Sequence, residues 1–291
     1  MVGHLMTLFT VTVWGVTFIS TKILLKSFQP VDILLIRFIM AYILLWILSP
    51  KGVGRLPLGQ ELCFVGAGMS GITVYYILEN VALTYTQASN VGVIISAAPF
   101  FTAIMLHIFG RREEREAIHS YFVIGFLIAM VGICLISYNG ATLHFDPLGD
   151  LLTILAACTW GVYAVFLKKI NGFGFSVLAY TRRIFFYGLI GLLISSLCLG
   201  VRIDPAVIVR PINLCNLLFL GLVAGAICFL TWNTGVEIIG AMKSSAYIYL
   251  CPVITVIASV IVLHESITIL EIIGTLLILG GLILSENWFG K

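Results

Sequence analysis

Ten apolar runs, separated only by charges, prolines and glycine-rich turns, follow one another along nearly the whole chain. They lie near residues 3–25, 31–49, 60–84, 88–109, 119–139, 148–168, 175–200, 213–237, 243–264 and 267–288. Each stays apolar for far longer than the roughly 9–11 residues of a transmembrane strand. Each is close to the 20 or so residues with which a helix crosses hydrocarbon. A helix also satisfies its backbone hydrogen bonds internally, which lipid demands. The expected fold class is therefore an all-α integral membrane protein of ten transmembrane helices. Ten spans use about 200 residues, so a chain of 291 keeps only short loops and no soluble catalytic domain.

Charge agrees with this. Only 10% of residues are charged and 60% are hydrophobic, with mean hydropathy +1.13, against about 25% charged in a soluble domain. The net charge of +3 is spread out, and no basic run points to nucleic acid. The seven cysteines lie in apolar surroundings without CxxC spacing or nearby histidines, and read as packing residues rather than disulfides or metal ligands. No cofactor is implied, and no phosphate-binding loop supports direct use of ATP. No basic stretch or small-x-small site precedes Lys22, so the first run reads as a retained helix.

Lysine and arginine set the orientation. With the N-terminus inside, Lys51, Arg55, Arg111, Arg112, Arg115, Lys168, Lys169, Lys243 and Lys291 are cytoplasmic, and Lys22, Lys26, Arg202 and Arg210 face out. Nine against four puts both termini in the cytoplasm of a multi-pass plasma-membrane protein.

The chain also repeats itself. Thr12–Val16 recurs at Cys158–Val162, an offset of 146 that carries Lys22 onto Lys168 and Arg37 onto Arg183. Asn80, Ala88 and Pro99 fall on Asn233, Ala241 and Pro252 at an offset of 153, and Gly125 and Gly132 fall on Gly274 and Gly281 at 149. Two halves, 1–140 and 141–291, follow. With an odd number of helices each, the second enters from the opposite face. The expectation is inverted five-helix repeats about a pseudo-two-fold axis in the membrane plane, with a site near the midplane.

In these residues the chain resembles the drug/metabolite transporter superfamily, specifically its ten-helix EamA-type members. The likeness rests on Trp14-Gly15 and Trp160-Gly161, on Glu79–Leu83 with Ala88-Ser89-Asn90 and Pro99, and on Trp232-Asn233 with Gly240–Ser245. Pro252, Glu265, Gly274 and Gly280-Gly281 complete it. The resemblance implies a proton- or exchange-coupled carrier of small metabolites, often amino acids or their derivatives. It also implies a pathway lined by helices 1, 3, 4, 6, 8 and 9.

Glu79 leads the candidate residues. It lies near the outer third of the third run, and an acid at mid-span costs about 2.5–3.5 kcal/mol, so it either faces a polar cavity, as a proton-coupling site or a counter-ion for a cation, or is hydrogen-bonded at a helix end near the headgroups. Asn80 and Asn233 are either substrate contacts or interhelical glue. Trp14, Trp160, Tyr163, Tyr75, Tyr76, Tyr247 and Tyr249 either enclose an ammonium or form an interfacial belt. Trp14 and Trp160, deep in their spans, fit the belt less well. Pro99 and Pro252 are expected as hinges, with Ser96 and Tyr249 presenting hydroxyls just before each kink. Arg37 and Arg183 either recognise an anionic substrate or, the favoured reading, are structural; Lys243 either meets a carboxylate or, the favoured reading, is a cytoplasmic anchor.

The expected function is alternating-access transport of a small polar metabolite, an amino acid or derivative favoured, coupled to protons or to exchange. A small organic cation such as choline is the alternative. Ten helices can enclose such a pathway in a monomer. Gly68-Met69-Ser70-Gly71 matches the GxSG string of rhomboid-type intramembrane proteases, but a serine nucleophile needs a base within reach, and such an enzyme leaves the repeat unexplained. A channel is disfavoured because no ring of polar residues recurs.

Overall fold

The computed structural model describes residues 1–86, 88–110, 119–137, 147–254, 257–258 and 269–285. The first half contributes α1 (Val2–Leu24), α2 (Pro30–Leu48), α3 (Leu58–Gly68), α4 (Tyr75–Tyr85), α5 (Ala88–Ile95), α6 (Ala98–Phe109) and α7 (Ser120–Ser137). The second contributes α8 (Pro147–Asn171), α9 (Val177–Leu199), α10 (Pro205–Ile208), α11 (Pro211–Leu218), α12 (Cys228–Ile239), α13 (Ala241–Ala246) and α14 (Ile269–Ser285). Among the described residues no strand occurs. Arg111, Arg112, Arg115, Lys291, His144, His264 and Glu265 lie outside the described residues, as do parts of the runs near 119–139, 243–264 and 267–288.

Two π-helical segments interrupt the α geometry. Met69–Val74 joins α3 to α4 in one span, Leu58–Tyr85, and Phe219–Ile227 joins α11 to α12 in another, Pro211–Ile239. At the 153-residue offset Val74 falls on Ile227, so both segments end at matched positions. With α1, α2, α8 and Val177–Cys198 of α9, six helices are long and apolar enough to cross a membrane; α6 and parts of α7 and α14 are shorter apolar helices. Their outer faces carry Ile47, Leu197 and Leu276, which are 62%, 85% and 65% exposed, while Thr10, Arg37, Glu79, Asn80 and Asn233 are buried. Apolar outside and polar inside is the pattern lipid selects. The chain is a multi-pass membrane protein.

Local chemistry sets the helix ends. Pro30 opens α2, and the Asp32 carboxylate there accepts the Gln29 N–H at 3.2 Å and the Arg202 N–H at 3.1 Å. α5 stops at Ile95, a turn at residues 96–97 follows, and Pro99 lies in the first turn of α6. α13 gives way to a 3-10 turn, Tyr247–Leu250, just before Pro252. A proline cannot donate to the preceding turn and clashes with it, so each helix restarts there.

Glycines let the helices close on each other, and they do so in reciprocal pairs. A Cβ on Gly132 of α7 would sit 2.5 Å from the Gly274 carbonyl oxygen of α14; a Cβ on Gly281 of α14 would sit 2.5 Å from the Gly125 carbonyl oxygen of α7. The Trp-Gly motifs behave alike. A Cβ on Gly15 would sit 2.9 Å from the Ile254 side chain and one on Gly161 2.9 Å from the Phe101 carbonyl oxygen, and Phe101 and Ile254 are equivalents at the 153-residue offset. The π segments pack crosswise between the halves: Thr73 donates to the Gly188 carbonyl of α9 at 2.9 Å, and Gly221 lies against Met40 and the Arg37 carbonyl of α2.

Candidate functional site

Glu79 sits on α4, one turn after Tyr75 and three residues after Tyr76, so all three share one face of the helix. It is 4% exposed. Beside it opens a cavity of about 30 Å³, lined by Trp14, Thr17 and Phe18 of α1, Tyr75, Tyr76 and Glu79 of α4, Ile95 and Ala98, Trp160 of α8, Ile248 and Cys251. That volume holds about two waters.

Interlocked rings form the wall. Trp14 lies 5.4 Å from Trp160, 5.2 Å from Trp232 and 5.6 Å from Phe229 between ring centroids; Trp160 lies 5.2 Å from Tyr75 and 5.0 Å from Tyr163. Edge-to-face and tilted contacts at such distances are the favoured aromatic geometry. The Trp14 indole N–H donates to the Ala224 carbonyl at 3.1 Å, inside the second π segment, where widened turns expose backbone oxygens. Behind Tyr76 lies Arg37 of α2. It is 2% exposed, with its guanidinium carbon 4.7 Å from the Tyr76 centroid and 5.2 Å from that of Phe38.

Of the sequence candidates, Trp14, Tyr75, Tyr76, Glu79 and Trp160 come together around the cavity. Tyr163 and Asn233 lie one layer back, where the Tyr163 hydroxyl donates to the Asn233 carbonyl oxygen at 2.7 Å and the Asn233 amide donates to Thr181 at 2.9 Å. Asn80 turns its amide to the Tyr76 carbonyl at 3.0 Å. Ser96 donates to its own helix, at the Gly92 carbonyl 2.7 Å away. Tyr249 packs in the cluster of Ala129, Val253, Ile278 and Leu282, away from the cavity. Tyr247 meets His4 of α1, with 2.8 Å between its hydroxyl and Nδ1. The Ser70 hydroxyl is spent on the Gly66 carbonyl at 2.7 Å. All seven cysteines are free thiols, and no cluster that could hold a metal occurs among the described residues.

Sequence reasoning did not select Thr17, Phe18, Ile95, Ala98, Ile248 and Cys251 as lining residues. Their only signals are spacing: Thr17 and Phe18 are i+3 and i+4 from Trp14, and Cys251 precedes Pro252. Arg37 was expected to be structural, yet it stands against the same Tyr76 that lines the cavity.

A lipid-facing helical shell around a buried acid and an aromatic wall is the build of a membrane transporter. The EamA-like transporter family profile matches residues 1–138 and again 147–286, and the chain belongs to that family, within the drug/metabolite transporter superfamily. It is a transporter and not an enzyme. Among its relatives, an uncharacterized transporter of Archaeoglobus fulgidus is 27% identical, over 97% of this chain and 96% of its own. A probable amino-acid metabolite efflux pump of Escherichia coli is 25% identical, over 97% and 93% respectively. A solved crystal structure of a protein 18% identical superposes with a TM-score of 0.77 over 99% of both chains, so the fold is shared with it.

Proposed function

We propose that this chain is a secondary active transporter that moves a small polar metabolite, with an amino acid or derivative favoured, across the plasma membrane by alternating access, driven by protons or by exchange. The observation that carries the reading is a buried carboxylate, Glu79, facing a cavity walled by Trp14, Tyr75 and Trp160. A carboxylate held in low dielectric is kept there by work with charge. At about 30 Å³ the cavity is far below the 300 Å³ or so of a ligand pocket. Loading a substrate therefore needs the surrounding helices to part, and the breaks at Pro99 and Pro252 are where they hinge.

In this reading ten transmembrane helices form two inverted five-helix repeats, 1–140 and 141–291, with both termini cytoplasmic. The reciprocal glycine pairs support it, because a contact in which i meets j and j's equivalent meets i's is the mark of a two-fold interface. The matched π segments support it too. The E. coli relative, a probable amino-acid metabolite efflux pump, favours amino-acid metabolites.

Counterflow in proteoliposomes tests the proposal. Uptake of labelled mixed amino acids into vesicles preloaded with the unlabelled mixture is expected for the wild type, and the pH dependence of that uptake is expected to vanish in Glu79→Gln. Uptake of labelled choline alone would favour the cation reading, for which the rings around Glu79 are the specific observation. Uptake of neither would remove the small-metabolite reading.

A further inference from the structure

Equivalent residues of the two halves do not meet equivalent partners. Arg37 and Arg183 correspond at the 146-residue offset. Arg183 grips Glu61 with two parallel bonds, Nε to Oε1 at 2.9 Å and Nη2 to Oε2 at 2.8 Å, at a partly exposed site that also receives the Tyr187 hydroxyl. Arg37 is buried, and among the described residues its Nε has no acceptor and its guanidinium has no ion-pair partner. Besides two aromatic faces it has one polar partner, the Tyr76 side chain, which leaves the Nε unanswered. The asparagines divide the same way. Asn233 is held through both its carbonyl oxygen and its amide nitrogen, while Asn80, fully buried, has an Oδ1 that accepts nothing among the described residues. The unanswered donor and the unanswered acceptor both flank Tyr76: Arg37 lies over its ring, and Asn80 donates to its carbonyl.

A guanidinium presents a planar fork of donors that a carboxylate fits with two bonds, as Arg183 does with Glu61. Left in a dry interior without an anion, it is costly. Glu79 stands on the same face of α4 as Tyr76, whose Cβ atoms at i and i+3 are about 5–6 Å apart. Arg37 and the acid thus both flank Tyr76, one over its ring and the other on the same face of its helix. An α-amino acid carries an ammonium and a carboxylate on one carbon, the two charges that an acid and a guanidinium answer.

We propose that Arg37 is the carboxylate-binding residue of the transport site, and that Glu79 with the Asn80 Oδ1 receives the ammonium, so that the substrate class is the zwitterionic amino acid with both groups free. This rests on the transport reading above and deepens it. Tyr76 covers Arg37 in the contracted cavity and swings aside as the cavity opens. A quaternary amine without a carboxylate would leave the Arg37 Nε as it stands, without an acceptor.

The test is competition in the same counterflow assay. Labelled mixed amino acids are the traced species, and the competitors are unlabelled mixed amino acids, their methyl esters, which lack the carboxylate, and their N-acetyl derivatives, which lack the ammonium. For the wild type, free amino acids are expected to compete at least about ten-fold better than either derivative, as the loss of one charged hydrogen-bond pair implies. In Arg37→Gln the preference over methyl esters is expected to collapse to near unity while the preference over N-acetyl derivatives persists. Arg37→Lys, which keeps the charge and loses the fork, is expected to fall between and serves if Arg37→Gln does not fold. Arg183→Gln is expected to keep the wild-type pattern. If both Arg37 variants retain the wild-type preference over esters, the assignment of Arg37 is overturned while the transport reading stands. If the wild type exchanges no amino acid, both fall.

Discussion

Asn80 and Asn233 show how far one residue type at equivalent positions can diverge. Removing the Asn233 side chain strands the Tyr163 and Thr181 hydroxyls in a dry layer, whereas removing Asn80 frees only the Tyr76 carbonyl, which still belongs to a helix. A buried group left unsatisfied costs about 1–3 kcal/mol. Asn233→Ala is therefore expected to lower the detergent unfolding midpoint clearly more than Asn80→Ala, and equal or reversed losses in a thermal scan would discredit the network. Both asparagines were visible in the sequence as a repeat, but their partners were not. Tyr163 was legible beside Trp160, while Thr181 carried no signal at all. Glu79, Trp14 and Trp160 were legible because an acid or a repeated tryptophan deep in a span is expensive or unusual there. Phe18, Ile95, Ile248 and Cys251 were not, since the residue types that line an aromatic cavity are those that face lipid. Arg37 was visible as a charge inside a span, but its place behind Tyr76 was not, because its helix was not expected at the pathway.

Elements follow hydropathy closely, and what hydropathy cannot encode is where a helix changes its winding. The spans near 60–84 and 213–237 were legible as runs. The π segments inside them were not, because in a continuously apolar stretch a widened turn leaves no periodic trace. The breaks at Pro99 and Pro252 were legible because proline states its constraint in its own chemistry. Glycine is intermediate: its presence is visible but its partner is not. The α7–α14 contact makes this testable. Gly132→Ala and Gly281→Ala both drive a Cβ toward a backbone oxygen that cannot yield as a side-chain tip can. Each is expected to cost about 1–3 kcal/mol as overpacking, and by similar amounts. Gly280→Ala, whose Cβ would meet nothing within 4 Å, is the neutral comparison. Denaturation of the three variants side by side would count against the reciprocal contact if Gly280→Ala were the most harmful.

At the scale of the whole molecule, inversion makes a claim that no single contact carries: equivalent loops must lie on opposite faces of the membrane. The turn after α1 and the turn after α8 are equivalents, with Lys26 falling on Gly172 at the 146-residue offset, and both residues are exposed. In the orientation proposed from positive charge, the first lies outside and the second, beside Lys168 and Lys169, in the cytoplasm. In intact cells a membrane-impermeant maleimide is expected to label Lys26→Cys well above the wild-type background and to leave Gly172→Cys at background until the membrane is permeabilised. The comparison is internal, because the two sites share local sequence position, exposure and chemistry and differ only in face. Labelling of both from outside would mean parallel halves, and the reciprocal glycine pairs would then need another symmetry. Labelling of Gly172→Cys alone would keep the halves inverted and turn the whole chain over, moving Glu79 from the outer third of its span to the inner third and with it the side from which the acid meets its proton.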